Sequence, residues 1–391
     1  MSQFESGHLQ KDALYPVQSV GSLLHVVPTL PPAINGLAGY FQNLWNNWSP
    51  PRPRWSVLAL DLPNGGESLL SELQQRKIQP NESDFALGLS ALGGQTVVLH
   101  YVPFAYDPKG GPAWIHRGLM DWKRSTGGKL VVMFHELFAI TNPWRKTFWR
   151  SPRSIACFSR TAKLADCWIT SNEKYYGQIR IITRGRVGEG VVIPVGSNIE
   201  VASQPEKSYS ALTVGIFGLP ATRVAAVEAH RDLIVSTVRN EPTSRVLAMG
   251  QPSAHNDDRI RKIAAIDGWE SQLTFASGSD RVISEALSEC HFGLVATNID
   301  YLGKSGVCAA LAVHGAVPVA VGRSNTQVKH PVLTSPSPGG GAVTPLLTLD
   351  AYFGMKERLS EWAFSELSWT SIAKSWNNHL LKHVGSARET S

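Results

Sequence analysis

The sequence predicts a two-domain α/β protein whose domains are each a doubly wound parallel sheet. Three observations carry that expectation. The chain has 391 residues, more than one compact core normally supports. Its apolar runs are short, β-branched and continuous rather than alternating, which is the pattern of strands covered on both faces. Helical stretches fall between those runs, and strand and helix in alternation imply βαβ units.

In the first half the strand-like runs are Ser22–Val27, Ser56–Leu60, Thr96–Tyr101, Lys129–His135, Cys167–Thr170 and Gly190–Val195. Helices are expected at Gly36–Asn46, Ala113–Ser125 and Ser154–Lys163. The stretch Val201–Ser210 turns polar and strand-poor and reads as a linker. A second series follows, with strands at Ala211–Phe217, Ser244–Met249, Leu273–Ala276, His291–Ala296 and Val317–Val321. Its helices are expected at Thr222–Asn240, Asp257–Ile266, Asp280–Glu289 and Gly306–His314. The predicted division is a first domain over 1–205, a second over 206–366 and a terminal helix and tail over 367–391. In the segment Leu367–Leu381, Trp369, Ile372, Trp376 and Leu380 form one amphipathic stripe. That helix docks on its own domain or crosses back to the first, and the sequence leaves both open.

Composition narrows the class. Charged residues make up 17%, below the usual ~25%, which argues against disorder. The net charge of +6 suits an anionic partner: a phosphorylated metabolite, an anionic membrane surface or nucleic acid. Cys157, Cys167, Cys290 and Cys308 form no C-x-x-C pair and no zinc spacing, and they fit a reducing compartment. The N-terminus has no apolar stretch of signal-peptide length, and no run approaches the ~18 residues of a spanning helix. A soluble cytoplasmic protein is expected, with contact to the inner face of a membrane left open.

The strongest candidate site is the loop Ala296–Gly306, between a strand and a small-residue helix. Gly303 and Gly306 flank a helix start whose free N–H groups and dipole favour a phosphate. Lys304 adds a positive charge and Ser305 a hydroxyl donor, although Ser305 would serve equally as a helix cap. Gly-Lys-Ser resembles the end of a triphosphatase P-loop, but the required first glycine falls at Asn298. His135 stands at the carboxyl end of a strand, where it can reach a sugar hydroxyl or a departing phosphate. It is not part of H-E-x-x-H, because position 139 is alanine. Gly36, after the first strand, would let the backbone approach a ligand. Gly185, Gly188 and Gly190 have the wrong order for a dinucleotide fingerprint.

Pro143–Arg153 sets Trp144, Arg145, Lys146, Phe148, Trp149 and Arg150 together with no acid. Such a patch fits a membrane surface or lipid-linked substrate, single-stranded nucleic acid, or a solvated loop. Its place just after His135 points to an acceptor-side role for Trp144, Arg145, Lys146 and Trp149.

Several of these segments, in order, resemble family 4 glycosyltransferases. They are Pro31–Gly36, Phe134-His135-Glu136, Ser171-Asn172, Val192–Gly196, Gly215–Gly218 and Lys304-Ser305-Gly306, with Ala312–Gly315 after them. The resemblance implies the GT-B fold, with two Rossmann-like domains facing across a cleft, and a retaining transferase without metal ion or cofactor. It implies a nucleotide-diphosphate sugar as donor, a glycan or lipid-linked acceptor in the first domain, and no nucleic-acid partner. It places Asn35, Gly36, Gly218, Arg223 and the loop Gly303–Gly306 at the donor, with Asp300 the acid left to take over the sugar contacts, and His135 near the anomeric carbon. The sequence departs from the family in one respect. The usual pair of glutamates eight positions apart is missing, since no glutamate occurs between Glu289 and Glu357 and Asp300 is the nearby acid. A catalytically silent module binding a sugar or nucleotide is therefore the rival expectation, ahead of a nucleic-acid binder.

Overall fold

The computed structural model describes residues 21–31, 36–62, 72–138, 151–202, 207–322, 330–335 and 347–385. Asn35 and the patch residues Trp144, Arg145, Lys146 and Trp149 lie outside the described residues, as do 203–206 of the expected linker.

The strands form two wholly parallel sheets. In the first, β1 (Leu23–Thr29), β2 (Trp55–Asp61), β3 (Gln74–Lys77), β4 (Thr96–Tyr101), β5 (Lys129–Phe134), β6 (Cys167–Thr170) and β7 (Glu189–Val192) lie in the order β3-β2-β1-β4-β5-β6-β7. In the second, β8 (Thr213–Phe217), β9 (Arg245–Met249), β10 (Leu273–Ala276), β11 (Phe292–Asn298), β12 (Val317–Val321) and β13 (Leu333–Ser335) lie in the order β10-β9-β8-β11-β12-β13. Both are Rossmann-like. Each order reverses at its centre, between β1 and β4 and between β8 and β11, and ligands of such sheets bind beyond the strand ends at that point.

Helices cover both faces of the first sheet because successive strand residues point to opposite sides. Leu23 and Val27 join one core with Tyr40, Phe41 and Val98, while Leu24 and Val26 join another with Phe85, Leu99 and Ile115. The terminal helix Trp369–Val384 crosses back, placing Ile372, Ala373, Trp376 and Leu380 in the core of Tyr40 and Phe41. Ser368 starts it by accepting the N–H of Ser371, after a π-helical turn at Ala363–Leu367.

Two features differ from the sequence reading. The expected helix Thr222–Asn240 is two helices, Pro220–Ala229 and Arg231–Asn240, broken at His230. The His230 ring is pulled inward, its Nε2 3.0 Å from the Val295 carbonyl oxygen on β11, so the backbone leaves the helix there. Elements not expected from the sequence are β3, which has no apolar residue, and the helices Glu82–Leu92, Glu173–Thr183 and Leu349–Trp362. Among the described residues no helix is long and apolar enough to cross a membrane.

Candidate active site between the two sheets

The carboxyl ends of both sheets open onto one cleft of about 540 Å³. From the first domain, Gly36 and Tyr40 follow β1, His135 and Glu136 follow β5, Ser171 follows β6, and Gly196 and Asn198 follow β7. From the second come Lys304 and Gly306, after β11. Four residues expected from the sequence, Gly36, His135, Lys304 and Gly306, thus meet in a single cavity.

The second domain presents the start of the helix Gly306–Val313. Ser305 is its N-cap, accepting the N–H of Cys308 at 3.2 Å, which leaves the hydroxyl proton to donate elsewhere. Lys304 is exposed and reaches across the interface, its Nζ donating to the Tyr175 hydroxyl at 3.1 Å and lying over the rings of Tyr175 and Tyr301. Gly303 sits where the loop meets the first domain. A Cβ there would stand 2.0 Å from the Ser171 carbonyl oxygen, and the Gly303 carbonyl accepts the Val195 N–H at 2.8 Å. It is the point where the two backbones touch.

Three further candidates have partners within the protein. Asp300 pairs with Lys174 of the first domain at 3.0 Å, and that carboxylate holds Lys174 above its ordinary pKa. Arg223 is held by the protein's own groups. It is 1% exposed, donating to the carbonyls of Gly218 and Gln251 at 3.0 and 2.9 Å and to Asp257 at 2.6 Å. Its guanidinium ties the turn after β8 to the turn after β9, and Gly218 and Gly250 in those turns both take positive φ. Gly218 acts there through its carbonyl, held by Arg223.

The first domain supplies His135, whose ring is enclosed by Tyr40 edge-on at 4.8 Å and by His100 at 5.3 Å. Burial pushes its pKa down to about 3, so the ring is neutral near neutral pH. Glu136, not among the expected site residues, lies in the cavity wall beside it. Tyr40 and Asn198 were missed too. Asn198 packs its amide against Gly39, where a Cβ would come within 3.2 Å, and no local motif marks that contact. Among the described residues no group of three or more His, Cys, Asp or Glu is placed to hold a metal ion.

No family model matches this sequence, and no curated protein matches it. Solved structures do resemble it. A sucrose-phosphate synthase from Thermosynechococcus elongatus superposes with a TM-score of 0.61 at 11% identity, over 93% of this chain and 98% of its own. HepE of Anabaena, in complex with UDP and glucose, gives 0.60 at 11% identity, over 93% and 100%. The lipopolysaccharide outer core galactosyltransferase WaaB gives 0.57 at 11% identity, over 92% and 99%. The fold is GT-B. At this identity the likeness is one of architecture, covering nearly the whole of each chain.

Proposed function

We propose that the cleft binds a nucleotide-diphosphate sugar and transfers the sugar, with retention, to a glycan or lipid-linked acceptor. The observation that carries this reading is the meeting, in one cavity, of the Lys304–Gly306 helix start with His135 and Glu136 of the facing domain. A leaving diphosphate develops charge as the glycosidic bond breaks, and fixed donors aimed at it stabilise that charge. Lys304 and the helix start at Gly306 line one wall and supply such donors, with the Ser305 hydroxyl between them in the chain. His135 and Glu136, on the other wall, are positioned for the sugar or the attacking hydroxyl. Asp300, bound to Lys174, is less available, so Glu136 takes the place of the missing glutamates as the carboxylate facing the cleft. The bound UDP and glucose of HepE, which shares the architecture, support a uridine donor as the first to try. The segment 143–153, with Trp144, Arg145, Lys146 and Trp149, would guide a lipid-linked acceptor at the inner face of a membrane.

The test is calorimetry with a panel of nucleoside diphosphates and their sugar conjugates, followed by a transfer assay with those that bind. Lys304→Ala should weaken diphosphate binding by roughly 10- to 100-fold, the range of one charge-assisted hydrogen bond. Tyr175→Phe removes the interdomain partner of Lys304 and controls for lost domain contact. Unchanged affinity in Lys304→Ala would overturn the assignment. Binding without turnover across the panel would favour a silent module.

A further inference from the structure

His135 is the outer member of a chain of three histidine rings on one face of the first sheet. Its Nε2 lies 3.0 Å from Nδ1 of His100, and Nε2 of His100 lies 3.1 Å from Nδ1 of His25. The period of two along β1 and β4 puts His25 on the side of Leu23 and Val27, and His100 on the side of Val98. The helix Gly36–Asn46 and the returning terminal helix seal that side. His25 stacks on Trp55 at 4.1 Å with Phe41 edge-on at 5.2 Å, and Trp376 lies over His100 at 6.1 Å. Inside the seal the chain stops: Nε2 of His25 is buried with no hydrogen-bond partner.

A neutral imidazole has one N–H and one lone pair, so the two links can form in only two concerted ways. With all protons pointing inward, His25 ends in an N–H that finds no acceptor. With all pointing outward, His25 donates from Nδ1 to His100, and His100 donates from Nδ1 to His135. The group left over is then an unused lone pair on His25 Nε2. Leaving a buried donor unmade is the costlier outcome, and orphaned N–H groups are rarer than under-used acceptors.

We propose that His100 and His25 are positioning residues that fix His135 as the Nδ1–H tautomer, giving the cleft a permanent hydrogen-bond donor aimed at a ligand oxygen. The acceptor chemistry is a sugar hydroxyl or a phosphate oxygen, and this role rests on the glycosyl-transfer reading of the cleft. The tautomer itself does not. Because the chain ends in a sealed pocket, it orients a proton and does not conduct one. Burial holds His25 near 3 and His100 well below its ordinary value, which keeps the rings neutral and the direction defined.

The test is the ring ¹⁵N spectrum of the full-length protein labelled at histidine, with His135 assigned through His135→Gln. A free histidine side chain favours the Nε2–H form, so the expected state is an inversion, with Nδ1–H in roughly tenfold excess or more at His135. His100→Phe removes the donor to His135 Nε2 and should return His135 to a mixture. His100→Asn places an amide N–H where Nδ1 stood and should restore the Nδ1–H form. A purely structural His100 would give the same His135 spectrum in both variants. His25→Phe leaves a bare lone pair on the buried Nε2 of His100, which keeps the outward direction, so His135 should stay Nδ1–H there. An Nε2–H or mixed His135 in the wild-type protein, or an unchanged spectrum in His100→Phe, overturns the proposal. If His100→Phe does not fold, the wild-type and His100→Asn spectra decide. None of these spectra needs a ligand, so a failure here is distinct from a failure of the donor assignment. If the donor assignment also holds, titration with the bound diphosphate and with the free sugar shows which one shifts the His135 resonances.

Discussion

Trp376 donates its indole N–H to the hydroxyl of Tyr40 at 2.8 Å, joining residues 336 apart in the chain. Both side chains are buried, and Tyr40 also forms part of the cleft wall and packs edge-on against His135. The last helix of the chain therefore sets a residue of the first domain's ligand wall.

That bond should be measurable by itself. Trp376→Phe keeps most of the packing and removes the donor, and it should cost about 0.5–1.5 kcal/mol of stability beyond the lost indole surface. Trp376→Ala should cost about 3–5 kcal/mol, the range for emptying an aromatic site in a core. A double-mutant cycle with Tyr40→Phe, read by denaturant unfolding, isolates the bond. Zero coupling would mean that it contributes nothing.

Arg223 is expected to matter for folding and not for the ligand. Its partner Asp257 is raised by partial burial but lowered further by the Ser253 N–H and by Arg223, so its net pKa lies below the ordinary carboxylate value. A carboxylate lowered in the folded state adds stability that is complete above the unfolded value of about 3.9 and disappears as pH falls through the folded one. Asp257→Asn should therefore flatten the stability curve below about pH 4. At neutral pH, Arg223→Met should destabilise by about 3–5 kcal/mol, because it leaves a partly buried carboxylate unpaired. Diphosphate affinity of the folded fraction should stay at the wild-type level, and a large loss there would return Arg223 to the ligand.

The fold was legible where burial wrote itself into continuous apolar runs. Thr96–Tyr101 and Val317–Val321 fall where the sequence put them, because both faces of these strands are covered. The strand Gln74–Lys77 was invisible, being a polar edge with no apolar residue. At the site, the helix start at Gly306 and the strand-end His135 were readable because their chemistry is local. At Arg223 the partner that holds the side chain is distant in the chain. A basic residue after a strand looks like a phosphate ligand until Asp257, 34 residues on, is seen to hold it. His25 and His100 hide inside apolar runs, and only the strand order β1-β4-β5 brings them into line with His135.

Acid should unfold this protein early. Burial is the leading cause that pushes His25 and His135 to about 3 and His291 and His379 to about 4. Unfolded histidines take up protons near 6.5, so between that value and the folded ones the unfolded state binds more protons. Stability is complete above about pH 6.5 and falls as pH drops, each such histidine adding up to about 1.4 kcal/mol per pH unit. Denaturant midpoints at pH 7, 6 and 5 check this. A midpoint that is constant over that range would mean that these rings are not held neutral.

The last prediction concerns a residue with no side chain. Gly303 brings the second domain's loop against β6 so closely that a methyl group would stand 2.0 Å from the Ser171 carbonyl oxygen. The obstacle is backbone, which cannot turn aside as a flexible side chain could. Gly303→Ala must then push the loop away from the first domain. That motion strains the Val195 N–H bond to the Gly303 carbonyl and carries the adjacent Lys304 away from Tyr175. Overpacking of this kind costs about 1–3 kcal/mol, so the melting temperature should fall by a few degrees. Diphosphate affinity should fall with it, although the substitution removes no group that donates to the ligand. Gly177→Ala, where a Cβ meets nothing within 4 Å, is the control and should leave both quantities near wild type. If Gly303→Ala melts and binds like the wild-type protein, the loop is not braced against Ser171, and the position of Lys304 must be set from its own domain alone.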